Sequence, residues 1–367
     1  MKPNENVVAS ELLVRFSLCK LASIATGDTK EDLMALLGYR NETGLSTCYT
    51  RCKESLKTMT ETDLTMVNRI FLEYTKEIDP SFIKNSTEKF GVQVEQVGFT
   101  YPVAALAHIN KMISAITYKR VADIIDADDI NKDTKMIIVN GGHYKGTWEF
   151  PFDYRLTKLT QFRHIDGKVS RIPMMTKTDS IMFAAAGDCQ AIKLRFGSWR
   201  ASITIVIPNN PREFPKLIDR ISDQRSYVYN LVKQMKSKPL QIILPRFKIR
   251  TFVDWTGFLQ GLGMYSIFNT NSTDLSRIYK KEFRNKTIAL HKIKQKVFVQ
   301  IDEMGVARFK PHPDTIWGPP GLSAPDIPKF VADRPFYFEI TWDFENARHE
   351  MFTGVYYGPE STTVIPK

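Results

Sequence analysis

The stretch that decides the fold is Phe330-Val331-Ala332-Asp333-Arg334-Pro335-Phe336, "FVADRPF". It stands between two segments of opposite character. Downstream, "FYFEITWDF" and "HEMFTGVYYG" carry the aromatic and β-branched pattern of strands. Upstream, six prolines fall between Pro311 and Pro328 among glycine and polar residues. Proline lacks the N–H that an interior strand donates, so this segment cannot be a central strand as it stands. "KVFVQID" reads as a strand on its far side, so the segment is expected to be a long loop within one domain.

Working outward, "RASITIVIPN", "LQIILPRFKI", "CQAIKLRF" and "DSIMFAAAG" are expected strands, with helical stretches at "EFPKLIDRI" and "TFVDWTGFLQGLG". Towards the N-terminus helices dominate. "SELLVRFSLCKLASIA" and "TGDTKEDLMALLGY" have helical spacing. "DPSFIKNSTEKFG" offers Asp79 as N-cap, Pro80 at the first helical position and Gly91 at the end. "TMVNRIFLEY", "QVEQVGF" and "TKMIIVNGGHYKGTW" read as strands, and "PVAALAHINKMISAIT" as an amphipathic helix. Helices first and antiparallel-type strands afterwards make an α+β plan, with residues 1–367 expected as a single domain.

The 367 residues are 43% hydrophobic, enough for a large core, and hold no apolar run of membrane-spanning length. "MKPNENVVAS" has no apolar stretch of signal-peptide type, so an export signal would be removed or lie outside this sequence. The net charge of +11 is spread along the chain. Its densest part holds Arg277, Lys280, Lys281, Arg284, Lys286, Lys292, Lys294 and Lys296. It lacks the interleaved exposed aromatics of a nucleic-acid platform. A sulfated glycan is the remaining polyanion to weigh there, against the plainer reading of a generally basic surface.

Of four cysteines, no two form a C-x-x-C pair, so neither a zinc site nor a thioredoxin-type motif is expected. Cys48 and Cys52 would share one helix face, where a disulfide fits poorly, and Cys19 and Cys189 are expected as buried free thiols. Four sequons begin at Asn41, Asn85, Asn271 and Asn285. They point to the secretory pathway, and Asn41 and Asn85 are the preferred acceptors as residues of short polar connections. No G-x-S-x-G elbow, H-E-x-x-H helix or P-loop occurs, so no enzyme, metal or cofactor is expected.

"FVADRPF" is similar to the C-terminal signature of the serpins. "NGGHYKGTW" (140–148) with Pro151-Phe152-Asp153, "LPRFKI" with "LGMYSIFN", "HINKMISAIT" and "VQIDEMG" carry the same resemblance. It spans roughly Asn6 to Gly358. The resemblance implies a fold of three β-sheets with about eight or nine helices and an exposed reactive-centre loop, here about 305–330. In inhibitory serpins a protease cuts this loop, which then inserts as a new strand and drags the acyl-linked protease with it. The resemblance thus implies a serine protease as partner, a secreted monomer, and Asn140 and Trp148 as residues of the shutter and breach.

Four departures stand out. The chain enters the pattern at "NVVASELL", so the first family helix is expected to be absent or to lie outside this sequence. The early Ser-Pro-x-Ser motif is Ser10-Glu11-Leu12-Leu13, and the expected shutter histidine aligns with Gln295. The hinge that begins with Glu303 and Gly305 is the fourth. Alternate residues of an inserting strand face inward, giving Val306, Arg308, Lys310 and His312 where inhibitory members place Thr and Ala. Burying an unpaired Arg or Lys costs several kcal/mol, and Pro311 and Pro313 each remove a ladder donor. The segment is therefore expected to stay a loop or insert only at its start. A scissile bond is expected near Leu322-Ser323, by spacing back from "FVADRPF".

Overall fold

The structure, a computed structural model, describes residues 4–59, 64–144, 146–197, 200–224, 226–284, 288–304, 327–344 and 347–359. The chain divides into two compact units. One comprises Met1–Val8, Lys145–Ile249 and Val299–Lys367, the other Ala9–Tyr144 and Arg250–Phe298. The reactive-loop residues Gly305, Val306, Arg308, Lys310, Pro311, Leu322 and Ser323, and the sequon at Asn285, lie outside the described residues.

Local signals set the helices of the second unit. The Ser10 hydroxyl accepts from the Leu13 N–H and starts α1 (Glu11–Ala22). α2 (Gly27–Leu36) and α3 (Glu42–Met59) follow. Asp79 accepts from the Ser81 N–H, Pro80 takes the first turn, and Gly91 at φ 62° closes α4 (Pro80–Phe90) as the sequence reading expects. α5 spans Pro102–Ile116 and α8 Trp255–Gly261. The expected helix "TFVDWTGFLQGLG" therefore starts late. Thr251 to Asp254 belong to strand β10 (Phe247–Asp254), and Asp254 caps α8 by accepting from the Thr256 N–H.

Five strands form one sheet in the order β10, β11 (Lys292–Ile301), β4 (Met136–Tyr144), β2 (Leu64–Glu73), β3 (Gln93–Val97). Every residue of β4 is buried, so helices and loops cover both its faces. Side chains alternate as the pleat requires. Met136, Ile138, Ile70 and Leu72 pack in a cluster with Val14, Leu18 and Leu21 of α1. Ile137, Val139, Val67 and Phe71 pack in another with Ile109 and Ile113 of α5.

Cys19 and Cys48 lie in the α1 cluster and are joined by a disulfide, their Cα atoms 6.2 Å apart. This corrects the expectation of a free thiol at Cys19. The partners are 29 residues apart on different helices, a pairing that local spacing does not show. Cys52 and Cys189 are buried thiols.

In the first unit the strand order is β1 (Val7–Ala9), β14 (Ala347–Tyr356), β13 (Phe336–Phe344), β8 (Ala201–Pro208), β7 (Cys189–Arg195), β6 (Val169–Ala186), β9 (Lys236–Pro245), β12 (Lys329–Val331). β5 (Lys158–Arg163) adds to β6. The 18-residue β6 pairs with β5 at one end and β7 at the other, which joins two pairing regions into one network. α6 (Phe214–Asp223) and α7 (Tyr227–Lys233) pack Phe214, Leu217, Val228 and Leu231 against Ala191 and Val206. The eight α-helices among the described residues agree with the expected number.

Gly354 of β14 faces Phe338 of β13. A Cβ there would lie 2.5 Å from the Phe338 ring and 2.6 Å from the Val7 carbonyl oxygen. Gly354→Ala is expected to cost about 1–3 kcal/mol through overpacking, read as a lower urea midpoint at unchanged slope. An unchanged midpoint would show that the strands part without cost.

Candidate functional site

"FVADRPF" closes the described part of the loop's far end. Phe330 pairs with Ile242 where β12 joins β9, and its side chain is fully buried. Asp333 is held by Arg163 at 2.6 Å and Arg334 at 2.9 Å. The ring of Phe336 packs on Phe247 and Tyr356, with centroids 5.7 and 5.1 Å away.

At the near end, the chain leaving β11 is fastened at two consecutive residues. The Trp148 indole N–H donates to the Asp302 carbonyl at 2.7 Å, and the Phe152 N–H donates to the Glu303 carbonyl at 2.9 Å. Trp148 is set by its neighbours. Its ring stacks on Phe196 at 4.8 Å and meets the edge of Phe152 at 5.7 Å. The Asp302 carboxylate accepts from Gln300 at 2.8 Å and from the Met304 N–H at 3.2 Å.

Glu303 is 5% exposed, so its charge needs partners. The Thr157 hydroxyl donates to it at 2.6 Å, and Arg246 pairs with it. Burial acts to raise the Glu303 pKa, but the hydrogen bonds from Arg246 and Thr157 outweigh it and hold the carboxyl below the usual range. Trp148 and Glu303 were marked by the sequence. Arg246 and Thr157 were not, although Arg246 sits in the quoted "LPRFKI". Its signal was a cation directly after the strand-ending Pro245.

A second polar cluster occupies the other unit. Asn68 and Asn140 face each other in the β2–β4 register and share the parity of Ile70 and Ile138, which directs them to α1. Asn140 donates to Asn68 Oδ1 and to Ser17 Oγ, and the Ser17 hydroxyl donates to Asn68 Oδ1 at 2.8 Å. Gln295 does not join them. It accepts from the Ser10 N–H at 3.0 Å and donates to the Ser10 carbonyl at 2.8 Å. The sequence named Asn140 and Gln295 together, and the structure gives each its own partners.

The basic run is largely answered from within. Lys280 pairs with Glu77, Arg284 with Asp79 at 3.1 Å, and Lys294 with Asp129 at 2.6 Å and Asp254 at 2.9 Å. Lys292 lies 3.9 Å from Asp254, and Lys296 donates to the Ala122 and Asp123 carbonyls. Arg277 and Lys281 are exposed, and Lys286 is outside the described residues. Among the sequons, Asn41 and Asn271 are exposed. Asn85 is a correction, since it lies inside α4, on a helix that Asp79 and Gly91 delimit, and not in a connection.

Comparison with known proteins agrees with this architecture. The serpin (serine protease inhibitor) family profile matches residues 1–359. Antitrypsin of Bombyx mori is 25% identical over 93% of this chain and 86% of its own length. Antichymotrypsin-2 of Bombyx mori is 25% identical over 97% and 92%. The crystal structure of native protease nexin-1 with heparin superposes with a TM-score of 0.85 at 22% identity, over 97% of this chain and 94% of that one. The chain belongs to the serpin family, whose members are typically inhibitors of serine proteases rather than enzymes.

Arg246→Ala leaves the Glu303 carboxylate nearly buried with Thr157 as its side-chain partner. It is expected to cost about 1–3 kcal/mol at neutral pH. A lowered folded-state pKa contributes stability that is complete above the unfolded glutamate pKa and is lost as pH falls through the folded value. The gap between variant and wild type should therefore narrow in acid. Denaturant melts at pH 7 and pH 4 check this, and a gap that widens in acid contradicts the assignment.

Proposed function

We propose that this chain is an extracellular serpin-fold protein that meets serine proteases through the segment 305–330 but inserts that segment weakly or not at all. One observation carries the reading. The residues due to enter the sheet after the fastened Glu303 are Val306, Arg308, Lys310 and His312, interleaved with Pro311 and Pro313. A strand inserted into this sheet would lie between elements that bury every residue of β4. Arg and Lys there each cost several kcal/mol unless paired. A non-inserting serpin acts as a binding module or a substrate, and it is not an enzyme. The second reading is a suicide-substrate inhibitor cut near Leu322-Ser323; the family match favours it.

Export draws support from the Cys19–Cys48 disulfide, which persists in oxidising compartments, and from exposed sequons at Asn41 and Asn271. The glycan reading draws less support, because internal oxygens already hold most of the basic run.

Cleavage between Lys310 and Ser323 is expected to leave the melting temperature nearly unchanged. In the combined variant Arg308→Ala, Lys310→Ala, Pro311→Ala, Pro313→Ala it is expected to raise it sharply. Calorimetry of intact and nicked protein, with a gel assay for an SDS-stable protease adduct, decides between the readings. A large rise in nicked wild type, or an adduct, would establish the inhibitor.

Protein made in a eukaryotic secretory host is expected to gain mobility on glycosidase treatment, by a smaller step in Asn41→Gln. Unchanged mobility and no sugar by mass spectrometry would remove the extracellular assignment.

A further inference from the structure

Three of the four cysteines converge at one place in the α1 cluster. The sulfurs of Cys19, Cys48 and Cys52 all lie within 4.8 Å of one another, and each residue is at most 1% exposed. Cys19 comes from α1; Cys48 and Cys52 come from one face of α3, a turn apart. Cys19 is tied to Cys48, which leaves Cys52 as a thiol beside a disulfide. We propose that this is a thiol–disulfide exchange site, in which Cys19 is joined to either cysteine of α3.

The step needs no external oxidant. The Cys52 thiol loses its proton and the thiolate attacks Cys19 Sγ. The Cys52–Cys19 bond forms as the Cys19–Cys48 bond breaks, and Cys48 leaves as a thiolate that takes up the proton. Two sulfurs stay at the disulfide level and one at the thiol level throughout. Attack on Cys48 instead would join residues four apart on one helix. Their Cβ atoms stand about 5–6 Å apart, against about 3.5–4.5 Å in a disulfide. Cys19 is therefore the sulfur attacked.

The two bridges close loops that differ by four residues, so chain entropy hardly distinguishes them. The choice rests on how α1 and α3 pack, and exchange moves the tie between them by about one helical turn. Burial pushes the Cys52 thiol up to about 12, with Arg15 partly opposing. At neutral pH it is protonated, so exchange in the folded chain is slow and the bridge made on folding persists.

The test is disulfide mapping of the full chain by mass spectrometry, after acid quench and alkylation in denaturant. Wild type should give the Cys19–Cys48 peptide, with Cys52 and Cys189 alkylated. Cys52→Ser should keep that peptide. Cys48→Ser, refolded in a glutathione buffer, should give Cys19–Cys52 as the dominant peptide and lose Cys52 alkylation. A Cys48→Ser protein that melts cooperatively with Cys19 and Cys52 both alkylated overturns the proposal. So does wild type with all three thiols free, as in a metal-bound cluster. If Cys48→Ser does not fold, wild type unfolded in denaturant and refolded with a trace of reduced glutathione, where the three thiols can exchange before burial, reads the same choice of partner. The Cys19–Cys52 peptide should appear in it, and its absence overturns the proposal.

Discussion

The rest of the structure depends on β4 being buried on both faces. A strand so placed has no water to satisfy a polar side chain, so each polar residue on it must come with a partner. Asn140 meets this demand at its amide nitrogen, which donates to Asn68 across the ladder and to Ser17 above it. The parity that points Asn140 at α1 is the parity that places Ile138 in the α1 core. Any strand added beside β4 would meet the same demand. On the proposed register the segment after Glu303 would bring Arg308 and Lys310 to inward positions, and the chain that precedes it has already committed its polar contacts to Trp148, Phe152, Thr157 and Arg246.

Charge is used locally in this molecule. A net charge of +11 suggests a surface looking for an acidic partner. Residue by residue, many of the cations meet a carboxylate or a carbonyl of their own chain. Lys294 is the clearest case, 6% exposed at its side chain and bridging Asp129 and Asp254. Burial lowers its pKa, but the two carboxylates prevail and leave it raised. Such a pair is a structural tie and contributes little to long-range attraction.

What was legible in the sequence was what local chemistry determines. α4 could be bounded because Asp79, Pro80 and Gly91 act within a turn of their own positions. The strands of the second half could be found by their apolar alternation, and "FVADRPF" by its specific order. The start of α8 was missed because Thr251 and Val253 continue a strand until Asp254 caps the helix. The Cys19–Cys48 bridge and the Arg246–Glu303 pair were missed because both are contacts between distant segments. Neither partner carries a mark in its own neighbourhood that names the other. Asn140 and Gln295 could be named, but their separate partnerships depend on strand parity that only the assembled sheet reveals.

The pairing of Gln295 with Ser10 has a chemical consequence of its own. The carboxamide presents one acceptor and one donor to one backbone residue, as a neighbouring strand would. Where the family is expected to carry a histidine, such a contact would change protonation state between about pH 5 and 8. A carboxamide does not titrate in that range. The carboxamide fastening between β11 and the head of α1 therefore carries no proton-linked step of its own in that range.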